Sequence, residues 1–256
     1  MLLCIDPRNI GGTQMITRAI LASADLVMVS PKATPLENTE GPFDLVAMVP
    51  MQVVATELDH FALVKNVLIG GADLDVPTRE SLQSVHGTTF FQTYGMTETA
   101  SHIAVREISQ PLYRTLGDVQ IAMDDRDCLR CYGTVTGYKW LQTNDVISIA
   151  TDGFVWKGRA DWVINSGGVK IHPELIEEII GRHFPECVCA ITSVPDATLG
   201  QKVVLITTMP LLDHLKASNL LGRYEMPKRE IIVEDFPRLE NAKIDRLAIT
   251  HLAAMY

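Results

Sequence analysis

No stretch of this sequence is apolar for long enough to cross a membrane. The best candidate, residues 16–29, is broken by Arg18 and Asp25, and a helical span needs about 20 predominantly apolar residues. The opening Met1-Leu2-Leu3-Cys4-Ile5 is cut off by Asp6 and Arg8, far short of a signal-peptide core. A cytoplasmic location with no membrane partner is the expectation. Positive charge is scarce as well: 22 Lys and Arg against 31 Asp and Glu leave a formal net charge of −9. General nucleic-acid binding needs a basic face, so no nucleic-acid partner is expected. A small anionic ligand is not excluded, because a local site can be positive inside an acidic protein. Cysteine is limited to Cys4, Cys128, Cys131, Cys187 and Cys189. The 128/131 spacing is metal-like, but the i, i+2 pair 187/189 is unusual for structural zinc. The simpler reading is small apolar residues kept as thiols in a reducing compartment. The seven histidines show no HxxxH pattern, and no internal repeat or low-complexity tract is present.

What is there reads as an ordinary globular chain. At 256 residues and 47% apolar content it can bury one large core or two modest ones. Residues 2–6 predict a strand. Met15, Ile16, Ala19, Ile20 and Leu21 predict the inner side of a helix, and residues 26–29 a buried strand, so the chain opens as an α/β layer. Another strand is predicted over 45–49, helical spacing over 51–64, and a strand over 67–69. That strand delivers Gly70-Gly71-Ala72 at its C-terminal end, where open α/β sheets bind ligands. A short helix packed by Leu82 and Val85 precedes a strand over 88–92, which is followed by Thr93-Tyr94-Gly95-Met96-Thr97-Glu98-Thr99. Residues 101–157 are mainly β, with a hairpin predicted around Thr151-Asp152-Gly153.

The pattern changes over residues 158–174. Arg159 and Asp161 are charged and two apart, Gly167-Gly168 permit backbone that side chains forbid, and Pro173 with Glu174 opens a helix. This is the expected position of a hinge beside an active site. Beyond it a helix over 173–183, strands over 188–194 and 203–208, a helix over 211–221, a strand over 230–234 and a helix over 243–255 make a self-contained α+β unit of about 95 residues. A Pro195/Gly200 loop is expected between its first two strands.

Three separated segments share one explanation: residues 92–99, then Thr143-Asn144-Asp145 through Gly158-Arg159-Ala160-Asp161 to Gly167-Gly168, and Asn241-Ala242-Lys243-Ile244-Asp245-Arg246. In this order they resemble the adenylate-forming, AMP-binding acyl-CoA synthetase superfamily. Tyr94–Ser101, with Gly70-Gly71-Ala72 before it, most resembles its o-succinylbenzoate–CoA ligases of menaquinone biosynthesis. The resemblance covers nearly the whole chain. It implies an α/β fold in two parts: a partial large adenylation domain over 1–159, with α/β layers and a β-rich subdomain, and a small, mobile α+β domain over 160–256. It implies an ATP-dependent ligase that joins a carboxylic acid to CoA through an acyl-adenylate, with Mg²⁺ as cofactor.

Residue chemistry and resemblance then agree in the following way. Tyr94 offers a face for a purine, Thr97 a hydroxyl for the α-phosphate, and Glu98 a hard carboxylate for Mg²⁺. By resemblance Gly70, Gly71, Ala72 and Gly95 also line the nucleotide. Asp145 matches the ribose-binding aspartate, and Arg159 reaches ribose or phosphate; an exposed Arg159–Asp161 ion pair is the plainer alternative. Asn144 replaces the usual glycine before that aspartate, and Asn tolerates left-handed backbone. Lys243 matches the catalytic lysine, Ala242 departs from the usual glycine before it, Asp161 matches the pivot, and Gly167-Gly168 line the CoA path. Thr99, Ser101 and His102 are small or polar and fit the acid pocket, a dicarboxylate better than a long alkyl chain. A Ser/Thr/Gly-rich phosphate loop ending in Lys, which the family places upstream, does not occur between Met1 and Tyr256. A weakly active or non-catalytic AMP/CoA-binding fragment, and another aryl- or acyl-CoA synthetase, therefore stay open, as does a homo-oligomer.

Overall fold

The computed structural model describes residues 1–239 and 243–256. The chain opens with β1 (Leu2–Leu3), α1 (Ile10–Leu21), β2 (Val27–Met28), β3 (Val46–Met48), α2 (Pro50–Ala55), β4 (Asn66–Ile69), α3 (Val76–Leu82), β5 (Thr89–Gly95), β6 (His102–Glu107) and β7 (Arg114–Thr115). Their strands form one sheet in the order β2-β1-β3-β4-β5-β6-β7. It is parallel from β2 to β5, then antiparallel through β6 and β7. Leu2, Val46, Met48, Phe61, Val67, Ile69 and Phe90 fill its core. Near-continuous apolar strands of this kind are what a covered parallel sheet requires.

Three expectations fail here for local reasons. Residues 26–29 are not a buried strand: β2 is the sheet edge, with Val27 45% and Met28 67% exposed. Next to it α1 turns Met15 and Ala19 inward but leaves Ile20 and Leu21 outside. Residues 51–64 are not one helix. Thr56 adopts extended φ −86°, ψ 128°, its hydroxyl donates back to the Gln52 carbonyl at 2.7 Å, and a separate 3₁₀ turn follows at Leu58–Leu63. The strand predicted to stop at 92 continues as β5 to Gly95, because Thr93 and Tyr94 pair with Val105 and Ala104 of β6.

A second, antiparallel sheet contains β8 (Gln120–Met123), β9 (Cys128–Tyr132), β10 (Leu141–Ala150) and β11 (Gly153–Arg159), ordered β11-β10-β9-β8. The β10–β11 hairpin closes with Ala150 opposite Gly153. A bridge between Tyr113 and Phe154 ties this sheet to the first. Cys128 and Cys131 are buried thiols in β9.

The third sheet follows the 3₁₀ turn Ala160–Trp162. It holds β12 (Ile164–Ser166), β13 (Val169–Ile171), β14 (Cys189–Asp196), β15 (Gly200–Thr207) and β16 (Arg229–Ile232), packed with α4 (Pro173–His183), α5 (Leu212–Ser218) and α6 (Arg246–Met255). Ile176 and Ile180 of α4 bury against Ile191, Val203 and Leu205, while Ile249 and Ala253 of α6 bury with Val204, Ile206 and Phe236. The expected Pro195/Gly200 loop is shorter than predicted, since Pro195 and Asp196 pair with Gln201 and Gly200. The last helix starts at Arg246 rather than 243: the Asp245 carboxylate caps it by accepting from the Leu247 and Ala248 N–H groups at 3.1 Å each. Among the described residues no helix is long and apolar enough to cross a membrane.

Candidate active site

The end of β5 and the middle of β10 meet through side chains. The Tyr94 hydroxyl donates to Asp145 Oδ2 at 2.7 Å, and Trp156 Nε1 on β11 donates to Asp145 Oδ1 at 3.2 Å. The Tyr94 ring packs edge-on against Phe154 and Tyr113, with centroids 5.2 and 5.8 Å away. Burial, and then the Asp145 charge, pushes the Tyr94 phenol far up, so it stays protonated and donates. Each Asp145 oxygen has one protein donor and keeps a second lone pair. Each oxygen of Asp145 can therefore accept from one further donor. Two residues before it, the Thr143 hydroxyl fixes the strand by accepting from the Asp145 N–H at 3.1 Å and donating to the Leu129 carbonyl at 2.8 Å.

Beyond Tyr94, the 3₁₀ turn Thr97–Thr99 leaves Thr97 and Glu98 exposed and buries Thr99. The Thr99 side chain is committed to its own loop: its hydroxyl lies 3.0 Å from the Met96 carbonyl and 2.8 Å from the Ser101 carbonyl. Ser101 and His102 instead meet Arg18 of α1. One guanidinium nitrogen lies 3.4 Å from Ser101 Oγ and 3.4 Å from His102 Nδ1. Burial, then the Arg18 charge, pushes His102 down to about 4, so it is neutral at pH 7 and its Nδ1 can accept. Burial also lowers the Arg18 guanidinium. Gly70-Gly71-Ala72 leave β4 beside this loop, with the Ala72 carbonyl accepting from Gln92 Nε2 at 2.8 Å.

Arg159 and Asp161 form the ion pair that is the plainer alternative to a nucleotide contact, at 2.6 Å, with both side chains close to half exposed. Such a pair is worth about 0–1 kcal/mol. Asn144 does not use a left-handed backbone. It sits where β10 shifts register against β9, and its Nδ2 donates to Asp161 Oδ1 at 3.1 Å. Arg126 in turn donates to Asn144 Oδ1 at 3.2 Å. Gly167 and Gly168, with φ of 59° and 81°, make the two-residue turn between β12 and β13. Positive φ at both positions is what a tight hairpin of this hand demands. Asn241 and Ala242 lie outside the described residues. Lys243 is exposed and accepts through its carbonyl from the Leu239 N–H at 2.8 Å.

Among the described residues no three His, Cys, Asp or Glu side chains converge as a metal site. Glu98 alone supplies one exposed hard carboxylate. That donor set fits Mg²⁺, which commonly takes one or two protein carboxylates and completes its octahedron with phosphates and water.

No family model matches the chain. A solved structure from Dyadobacter fermentans, an acyl-CoA synthetase (AMP-forming)/AMP-acid ligase II-like protein, is 34% identical over 96% of this chain and 76% of its own, with a TM-score of 0.61. The chain belongs to the AMP-forming acyl-CoA synthetases. Within this family, the 2-succinylbenzoate–CoA ligase of Listeria monocytogenes is 28% identical over 72% of this chain, and a probable 2-succinylbenzoate–CoA ligase of Mycobacterium tuberculosis is 26% identical over 97%. The chain spans 45% and 73% of those two ligases. The Bacillus subtilis o-succinylbenzoate CoA synthetase, solved with its acyl-adenylate intermediate, shares the fold at a TM-score of 0.80 and 18% identity.

Two residues of this candidate site were not legible as such in the sequence. Arg18 figures there only as a break in an apolar run, yet its guanidinium lies 3.4 Å from both Ser101 Oγ and His102 Nδ1. Trp156 lies eleven residues from Asp145 and reaches it because the β10–β11 hairpin folds the two together. A Trp on the hairpin partner strand of a candidate aspartate was the available signal.

Proposed function

We propose that the chain carries the nucleotide, acid and thiol sites of an acyl-CoA ligase, with o-succinylbenzoate as the acid. The carrying observation is the Tyr94–Asp145–Trp156 cluster in a chain 34% identical to an AMP-forming synthetase. In the first half-reaction a carboxylate oxygen of the acid attacks the α-phosphorus of ATP, and pyrophosphate leaves with the electrons of the broken P–O bond. In the second, the CoA thiolate attacks the acyl carbon and AMP departs. Asp145 receives the ribose hydroxyls, Tyr94 holds that carboxylate and borders the adenine, and Thr97 donates to the α-phosphate. Gly70, Gly71, Ala72 and Gly95 give the nucleotide close access to backbone. Mg²⁺ held at Glu98 supplies charge neutralisation at the phosphates. Arg159 serves the nucleotide once it exchanges Asp161 for ribose or phosphate.

Residues 160–256 act as the small mobile lobe in this reading, turning about Asp161 against residues 1–159. Lys243 serves the first half-reaction, where a preorganised cation offsets charge on the α-phosphate and is worth about 2.7–4 kcal/mol. Gly167-Gly168 serve the second as the CoA path. Arg18, with Ser101 and neutral His102, supports an acid that bears a second carboxylate. The test is acid-dependent pyrophosphate release and thioester formation, with Lys243→Ala beside wild type. The reading expects release with o-succinylbenzoate. It expects Lys243→Ala to lose at least about a hundredfold in adenylation and to keep thioester formation from supplied acyl-adenylate. Turnover with a different aryl acid alone overturns the choice of acid. AMP binding without turnover turns the reading toward a non-catalytic module.

A further inference from the structure

Helix α4 carries acids at three positions that do different work. Glu177 is used within the third sheet's own packing. It takes Arg246 of α6 at 2.6 Å and accepts from the Ile191 N–H at 2.6 Å. Glu174 and Glu178, one helical turn apart, point the other way, across the Asp161 turn toward the first two sheets. Glu178 Oε1 accepts from Arg79 of α3 at 3.1 Å, and from Arg182 of its own helix at 2.8 Å. Arg79 is only 10% exposed in this position. Glu174 Oε1 accepts from the Arg159 N–H at 3.4 Å, while its Oε2 is buried with no partner among the described residues. A further turn along, Gly181 lies against Val76 of α3; a Cβ there would stand 3.7 Å from two Val76 side-chain atoms. The three residues are spaced i, i+4 and i+7, one face of a helix.

This face is built to hold without holding hard. Its centre is one partly buried ion pair, its second contact leaves a buried carboxylate oxygen unsatisfied, which is unfavourable, and its third is a glycine. Arg79 and Glu178 lie close enough to act electrostatically on Tyr113 and Arg106 respectively, and those two reach the loop that follows β4. Arg106 donates to Asp73 at 3.1 Å and lies 4.9 Å over the Tyr113 ring. Asp73 directly follows Gly70-Gly71-Ala72, and Tyr113 packs against Tyr94. An interface that must open and close needs such a balance, whereas a permanent one would be apolar and fully paired.

We propose that Glu174, Glu178 and Gly181 form a releasable dock that fixes one orientation of residues 160–256, and that Arg79–Glu178 is the pair that breaks when this lobe turns about Asp161. The proposal rests on the reading of Asp161 as a pivot. Glu178 and Arg79 are positioning residues that touch no substrate.

Two readouts on the full chain test it. One is hydrogen exchange of amides in residues 76–82 and 174–181. The other is the ratio of adenylation to thioester formation from supplied acyl-adenylate. Glu178→Gln is expected to speed exchange in both segments and to shift the ratio by roughly five- to tenfold, within the usual range for coupling between sites. The exchanged pair, Arg79→Glu with Glu178→Arg, is expected to bring both readouts back toward wild type. Unchanged exchange in Glu178→Gln overturns the dock, and so does an altered ratio that the exchanged pair fails to restore. If wild type performs neither half-reaction but exchange responds and is rescued, the dock stands and the catalytic reading falls.

Discussion

Arg18 pairs with no acid among the described residues and spends its guanidinium on Ser101 and His102. A partly buried cation in that position gains most from an incoming carboxylate, since charge-assisted hydrogen bonds contribute about 1.5–3 kcal/mol. Arg18→Ala should therefore raise KM for a dicarboxylic aryl acid by roughly ten- to a hundredfold, and leave KM for the matching monocarboxylic acid nearly unchanged. Steady-state kinetics with the two acids decide it, and an equal rise for both would remove Arg18 from the acid site. His102 gives a second prediction, on stability. Its folded value of about 4 lies below the usual 6.5. The unfolded chain therefore takes up the extra proton between those values, and stability contributed above pH 6.5 is lost as pH falls toward 4. Allowing for partial exposure, the loss is on the order of 1–2 kcal/mol. Melting curves of His102→Gln should show a flatter fall in stability over that window than wild type.

At the scale of elements, the β10–β11 hairpin and α4 share a close contact at Gly158. Its φ is 131°, and a Cβ there would run into the Glu174 carboxylate. Gly168 also has positive φ, 81°, but open space beside it. Both alanine variants carry backbone strain of about 1–2 kcal/mol, and Gly158→Ala must displace Glu174 as well. Gly158→Ala should be the more destabilising of the two in thermal melts, and should also perturb the α4 dock. Much at this scale could be read from sequence. The apolar runs over 45–49 and 67–69 became β3 and β4, and the pattern over 173–183 became α4 with the same ends. What escaped depends on partners distant in sequence. Residues 26–29 are as apolar as a central strand, and only the sheet order makes them an edge. Asn144 replaces a turn glycine, yet its value lies in a bond to Asp161 seventeen residues on, which no local propensity encodes.

For the whole molecule, the order of the motifs along the chain allowed the family to be recognised, and the fold joins two of them: Tyr94 meets Asp145 through its hydroxyl, and Arg159 pairs opposite Asp145. Tyr94 is the last residue but one of β5, Asp145 lies on β10, and Arg159 ends β11. The orientation of residues 160–256 was not legible, since it depends on single contacts such as Arg79–Glu178 across 99 residues. The central claim is a nucleotide site at Asp145. Calorimetric titration with AMP tests it most directly, comparing wild type with Asp145→Asn, which keeps the shape of the side chain and replaces one acceptor oxygen by a donor. Asp213→Asn, an exposed carboxylate on α5, serves as control. The account predicts AMP binding to wild type and to the control, weakened about tenfold or more in Asp145→Asn. AMP binding of equal strength to all three, or none to wild type, would contradict it.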